Sequence, residues 1–308
     1  MAHTRKIIIA TLPVIALYAV SYAAVSEIVS SFDENNLTMS PGCMGPNALP
    51  VRHANDIMVG TRIILALTAE YHFDPHEEIT VNPHFSLLIP VRGIVAVSVF
   101  GRPVEYFETS EERRRSRCAD NSKGWSAGDL YFQTSVELLD AMKHFLGISL
   151  NIGFKSTTGK GFHSARHINA PGYWVDLSVG HLHEGRGLLS IRVQSSISFI
   201  GWQTNINEQN DAVGYNLCGE LSFGPRGLAS EIAGYYGWMH NGDAPLVARL
   251  SFRRKIAGFL QLHIGFQKGI RDQLPYQFRA GTAFELNNPV LNAPDRQNHA
   301  KEASAANP

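Results

Sequence analysis

Two stretches and a scatter of histidines carry residue types from which chemistry could be built. Thr157-Thr158-Gly159-Lys160-Gly161 has the glycines and the lysine of a phosphate-binding loop. Such a loop needs G-x-x-x-x-G-K-[ST] between a strand and a helix, so that backbone N–H groups cradle the phosphates. Here Gly153 lies one residue too far from Gly159, Gly161 stands where the hydroxyl belongs, and no helix is expected to follow. The better reading is an outer loop with flexible glycines. Histidine is abundant at 13 residues. His72, His76, His163, His167 and His240 fall in expected loops, and His181 and His183 share one face at a strand end. Neither set has a cysteine pair or a carboxylate at a ligand spacing, so exposed loop histidines are expected rather than a metal or other cofactor site.

Serine and histidine could also make an embedded lipid hydrolase, if a nucleophile met a base on neighbouring strands. No G-x-S-x-G elbow occurs, and most serines fall on the polar parity of their strands, so no enzyme is expected. The run Glu111-Glu112-Arg113-Arg114-Arg115-Ser116-Arg117 reads as a solvated loop tip, or as a contact for lipopolysaccharide phosphates. Cys43 and Cys118 are expected on opposite sides of a membrane and so unpaired, and Cys218 on the inner face of its strand.

The elements that must position these residues follow from composition and pattern. Lys and Arg number 27, as do Asp and Glu, which excludes a strongly basic nucleic-acid binder. Hydrophobic residues make up 44%, which excludes a disordered chain. Arg5 and Lys6, the apolar run from Ile7 to Val20, and small residues at Ser21 and Ala23 have the layout of a signal peptide over 1–23. No later apolar run reaches the ~18 residues of a membrane helix. The chain after the signal is then soluble or crosses a membrane as a closed β-barrel.

From residue 57 onward the chain alternates with period two. Tyr276, Phe278, Ala280, Thr282, Phe284 and Leu286 oppose Gln277, Arg279, Gly281, Ala283 and Glu285. Ile191, Val193, Ile197 and Phe199 oppose Arg192, Gln194, Ser196 and Ser198. Such alternation puts each set on one side of a sheet. A secreted β-sandwich would show the same pattern. Two features favour a barrel of about twelve strands over 57–286. The long gaps, 108–127 and 157–171 above all, occupy alternate positions with short turns between them, as in outer-membrane barrels. Tyr71, Phe73, Phe107, Tyr131, Phe132, Tyr173, Trp174, Trp202, Tyr235, Tyr236, Trp238 and Tyr276 also cluster near strand ends, where interfacial girdles lie. Residues 24–56 then form a periplasmic lead-in, and 287–308 a polar, disordered tail. The fold class is an all-β, antiparallel, up-and-down transmembrane barrel.

The polar parity defines a lumen. It carries Arg62, Glu70, Glu137, Lys155, Asp176, Arg192, Glu220, Glu231, Arg249, Arg253, Arg279 and Glu285. Charges at that depth must pair or touch water. They form either a structural salt-bridge network or the wall of a solute path, and their balance predicts weak ion selectivity.

Several motifs resemble one family. Gly128-Asp129-Leu130 opens a strand, Ile152-Gly153-Phe154-Lys155-Ser156-Thr157-Thr158-Gly159 closes another, and Tyr173-Trp174-Val175-Asp176-Leu177-Ser178-Val179-Gly180 opens the next. With Gly45-Pro46-Asn47-Ala48-Leu49-Pro50-Val51 and the run from Gly265 to Tyr276, these resemble the bacterial outer-membrane barrels grouped under the meta-pathway of phenol degradation. The resemblance covers about 45–286. Thr157 replaces the family's proline, and a polar tail follows the terminal aromatic Phe284. It implies an outer-membrane protein, inserted by the barrel-assembly machinery and surrounded by outer-membrane lipids. The function it implies is passage of small solutes, hydrophobic ones by analogy. A closed structural or surface-interaction barrel is the alternative.

Overall fold

The protein is described from a computed structural model covering residues 37–74, 78–91, 93–185, 188–202, 211–237, 243–272 and 275–288. The signal-peptide stretch 1–23 and all but the first two residues of the tail 287–308 lie outside the described residues, as do His76, Trp238 and His240.

Fourteen strands form one antiparallel sheet: β1 (Ile63–Asp74), β2 (Glu78–Pro90), β3 (Val95–Gly101), β4 (Glu105–Glu108), β5 (Lys123–Ser126), β6 (Leu130–Leu139), β7 (Gly147–Lys155), β8 (Gly172–Glu184), β9 (Leu189–Trp202), β10 (Asp211–Phe223), β11 (Arg226–Gly237), β12 (Leu246–Ala257), β13 (Leu260–Arg271) and β14 (Tyr276–Leu286). All but β4 and β5 follow chain order around a closed barrel of twelve strands. β1 pairs with β14 from Ile63↔Leu286 to Phe73↔Tyr276, and with β2 on its other side. Closure leaves the barrel no open edge. The β4–β5 hairpin continues the wall beyond the barrel, with Ile79, Thr80 and Val81 of β2 opposite Glu108, Phe107 and Tyr106.

Alternation decides which way the sheet curls. Leu67, Ile152, Val193, Ile197, Leu217, Ile232, Leu250, Ile264 and Phe278 are exposed on the outer face, while Ser149, Asn151, Asp176, Ser178 and Gln194 are buried inside. A soluble sandwich would bury the first set and expose the second. This inside-out order gives the barrel wall a continuous apolar band, the surface that lipid accepts. The connections also sort by end. Residues 91–94, 140–146, 185–188, 224–225 and 258–259 make a short-turn end, and 102–129 and 156–171 dominate the opposite, long-loop end. Gly224 at φ +54° starts the two-residue turn to Pro225 in the left-handed region that glycine alone takes readily.

The strand boundaries differ from the sequence pattern in two places. The barrel begins at Ile63, not at residue 57, because Ile57 and Val59 alternate but are buried inside the barrel, ahead of the wall. The alternation along 94–107 leads one to expect a single strand there, but it breaks at Arg102–Val104, where Pro103 has no N–H for the ladder, and resumes as β4. The aromatic girdle is also thinner than expected. Tyr71, Tyr173 and Tyr236 face outward, but Tyr131, Trp174, Trp202 and Tyr235 are on the inward parity and buried.

Candidate functional site: an occupied lumen

The lumen is not empty. Residues 39–59, which include the described part of the expected lead-in from Met39 on, run inside the barrel. At the long-loop end the Gly45 amide donates to the Ala165 carbonyl (2.7 Å), and Arg113 donates to the Gly42 carbonyl (3.2 Å). At the short-turn end the Val59 amide donates to Glu137 on β6 (2.8 Å). Pro41, Gly42, Gly45, Pro46 and Pro50 keep this segment out of helix or ladder. Its apolar residues Met39, Met44, Leu49, Val51 and Ile57 are buried.

The wall grips the segment largely through its main chain. Arg249 on β12 donates to the carbonyls of Val51 (2.6 Å) and Arg52 (3.0 Å). Glu231 on β11 accepts from the Ala54 amide (2.7 Å) and lies 3.1 Å from Arg249. Gln194 donates to the Asn55 carbonyl (2.9 Å), and Ser149 to that of Asp56 (3.0 Å). Arg279 donates to His53 Nε2 (2.9 Å), which leaves the imidazole proton on Nδ1, 3.2 Å from Glu231. Backbone carbonyls and amides held in this number fix register without depending on side-chain identity.

The remaining residues of the polar parity find these places. Arg192 bridges Asp56 of the segment and Glu220 of β10, and Glu220 also pairs with Arg253. Arg62 and Lys255 both reach Glu285, at 2.9 and 2.7 Å, across the seam of the barrel. Glu70 pairs with Arg102 (2.7 Å), and Lys155 with Asp129 (2.9 Å). Asp176 accepts from Ser178 (2.7 Å) and Asn151 (3.2 Å). Two cavities flank the segment. One of about 280 Å³ lies toward β1, β2, β3 and β6; the other, about 250 Å³, lies among Asp56, Arg192, Cys218, Glu220 and Arg279.

The long-loop end is capped by the two long connections. In 102–129, α1 (Glu111–Ser116) is capped by Ser110, whose hydroxyl accepts from the Arg113 amide (3.2 Å). The arginine run is neither a solvated tip nor free for phosphates throughout. Arg113 turns inward to Gly42, and Arg117 is buried against Glu78 (2.7 Å). From 156–171, Arg166 reaches Glu78 (2.8 Å), Glu105 (2.7 Å) and Thr80 (2.7 Å). Asn47 of the segment donates to Glu105 (2.7 Å) and Asn82 (3.0 Å). Burial alone would raise the Glu105 carboxyl, but Arg166 and His167 outweigh it and hold it far below the usual carboxylate range. His167 lies between Glu105 (3.5 Å) and Asp129 (3.6 Å). Burial opposes its proton, yet those two carboxylates raise its pKa.

Three further expectations change. His167 is buried in this cluster and His72 is buried on β1, 3.9 Å from Glu70; neither is an exposed loop histidine. Cys43 and Cys118 lie at the same, long-loop end, because the segment crosses the lumen; both are free. The Thr157–Gly161 stretch braces the cap, with the Leu130 amide donating to Thr158 (3.0 Å) and the Lys160 amide to the Ala127 carbonyl (2.8 Å). Among the described residues no cluster of three His, Cys, Asp or Glu could hold a metal ion.

The fold is similar to that of an outer membrane channel from Pseudomonas putida F1. The TM-score is 0.56 at 11% identity, over 76% of this chain and 100% of that one. The NanC porin gives a TM-score of 0.45 at 10% identity, over 72% of this chain and 100% of that one. The β domain of the Bordetella autotransporter BrkA gives 0.44 at 10% identity, over 73% and 99%. No protein-family model and no curated protein matches the chain. At such identities the likeness is one of fold.

Proposed function

We propose that this protein is a bacterial outer-membrane channel for passive movement of small solutes, held closed by its own N-terminal segment. The observation that carries the proposal is the inside-out barrel whose polar lumen is filled by a segment bonded mainly through backbone groups. A barrel built only as a scaffold could fill its interior with wall side chains. Here a separable piece of chain fills it and leaves cavities on both sides. The resemblance to barrels of phenol degradation favours solutes with a hydrophobic body. Membrane lipids would surround the apolar band, lipopolysaccharide would meet the outer rim, and the barrel-assembly machinery would insert the chain.

The density of wall-to-segment bonds also favours a second reading, a permanently closed structural barrel. Planar-bilayer recording separates the two. The channel reading expects rare openings in the native protein and frequent ones in Arg249→Ala, which releases the Val51 and Arg52 carbonyls. Silence of a folded Arg249→Ala protein at all voltages would leave the structural barrel.

A further inference from the structure

The cavity of about 280 Å³ between the N-terminal segment and β1–β3, β6 and β12–β14 has an unbalanced lining. Arg52, Arg102 and Arg249 face it together with His53, His72 and His84, and none of its lining residues is a carboxylate. Two of the three arginines are engaged elsewhere. Arg102 is taken by Glu70 at 2.7 Å, and Arg249 by Glu231 (3.1 Å), Gln267 (2.7 Å) and the segment's carbonyls.

Arg52 is different. Its guanidinium lies 3.7 Å from the centre of the Trp174 ring, and its Nη2 donates to Gln133 (2.9 Å). Its Nε is buried without a hydrogen-bond partner. Asp176, whose field reaches Arg52, gives its oxygen to Ser178 and Asn151 instead. A guanidinium stacked on an aromatic face, with no carboxylate hydrogen-bonded to it, is a ready receptor for a carboxylate, which it can bind through two parallel N–H donors. Beside it, Phe100, Tyr131, Leu88 and Val51 supply an apolar wall. About 280 Å³ accommodates a single ring with a short substituent.

We infer that this cavity binds a small organic carboxylate with an aromatic or similarly compact apolar body, and that Arg52 anchors its charge. That the ligand is a travelling solute rests on the channel reading; that it binds does not. Because Arg52 belongs to the N-terminal segment, the ligand touches the very piece of chain that fills the lumen.

The stack on Trp174 gives the readout. Refolded full-length protein in detergent is titrated at pH 7 and constant ionic strength with sodium benzoate, benzyl alcohol and sodium phosphate. Intrinsic fluorescence and calorimetry follow binding. Benzoate should bind saturably, and benzyl alcohol and phosphate each about tenfold or more weakly, since a charge-assisted hydrogen bond or the ring contact is then missing. Arg52→Gln should weaken benzoate by a similar factor and leave benzyl alcohol where it was, and Arg52→Lys should fall between. Equal binding of benzoate and benzyl alcohol, or undiminished benzoate binding in folded Arg52→Gln, overturns the anchor. Phosphate binding as tight as benzoate overturns the ligand class. If Arg52→Gln does not fold, the native comparison and Arg52→Lys decide. Binding in a protein that never conducts would leave this site standing and remove only the channel.

Discussion

Around Arg166, Glu78, Glu105, Asp129, Lys155 and Arg117 lie almost wholly out of contact with water. Around Arg192, Asp56, Glu220 and Arg253 pair across an open cavity, with Arg253 and Asp56 nearly half exposed. Both groups hold the same N-terminal segment, one at each half of the lumen. The difference is in how each loss would be felt. In the dry cluster every charge depends on its neighbours, and removing one leaves the others buried with less opposite charge than they need. In the wetter half, water replaces a lost partner. The segment is therefore fixed firmly at the long-loop end and held more loosely below it, so release should start from the short-turn half.

The largest expected effect tests the dry end. Arg166→Met keeps the bulk but leaves Glu78 and Glu105 without their shared cation. A loss of about 3–5 kcal/mol is expected, enough to abolish the folded band on a heat-modifiability gel or to depress the unfolding midpoint severely. Near-native stability would mean that water enters the cap and that the two ends do not differ.

A smaller effect is expected midway. Glu231→Gln keeps an acceptor for the Ala54 amide but removes the negative charge that faces Arg249 and His53. The barrel should fold, with a cost of about 1–3 kcal/mol for the charged hydrogen bonds lost. Bilayer recordings should show more frequent openings than the native protein. A variant as unstable as Arg166→Met would mean that the gradient of hold along the segment does not exist.

Why this gradient was hidden in the sequence is a matter of range. Parity along a strand is a local signal, and it carries the barrel: Leu250 and Ile264 outside, Ser149 and Asn151 inside. Partner choice is not local. Asp56 and His53, which meet Arg192 and Glu231, lie in a stretch with no alternation. Asp129 and Arg102, which meet Lys155 and Glu70, lie in the longest loop. The occupied lumen left only a faint trace, a Pro- and Gly-rich stretch that still carries Met44, Leu49, Val51 and Ile57, apolar residues with no strand to sit on. Ile57 and Val59 then misled, because two apolar residues at the right spacing look like the first turn of a strand's pattern.

The dry cluster also responds to pH. His167 is flanked by Glu105 and Asp129, with Arg166 and Lys155 close behind those carboxylates. Its folded pKa is raised, so its stabilising contribution is full below the unfolded value of about 6.5 and disappears as pH rises through the folded value. Urea unfolding midpoints of native protein and His167→Gln, compared from pH 5.5 to 9, should converge as pH rises. A gap that is constant, or that widens, would mean that His167 is held neutral.

The least effect belongs to the seam at the short-turn end. Arg62 donates to Glu285 at 2.9 Å and to the Gly258 carbonyl at 3.1 Å, but its side chain is 47% exposed. Lys255 also reaches Glu285 (2.7 Å), so the carboxylate keeps a cation when Arg62 is lost. Exposed pairs of this kind contribute about 0.2–1 kcal/mol and are screened by salt. Arg62→Ala should therefore shift the unfolding midpoint barely at all, and raising ionic strength should erase the shift. The same salt series applied to Arg166→Met should leave its defect in place, since the cap excludes the ions. If salt narrowed both defects alike, the cap would be as wet as the seam, and the dry anchor would have to be sought in the segment's backbone bonds to Arg249 instead.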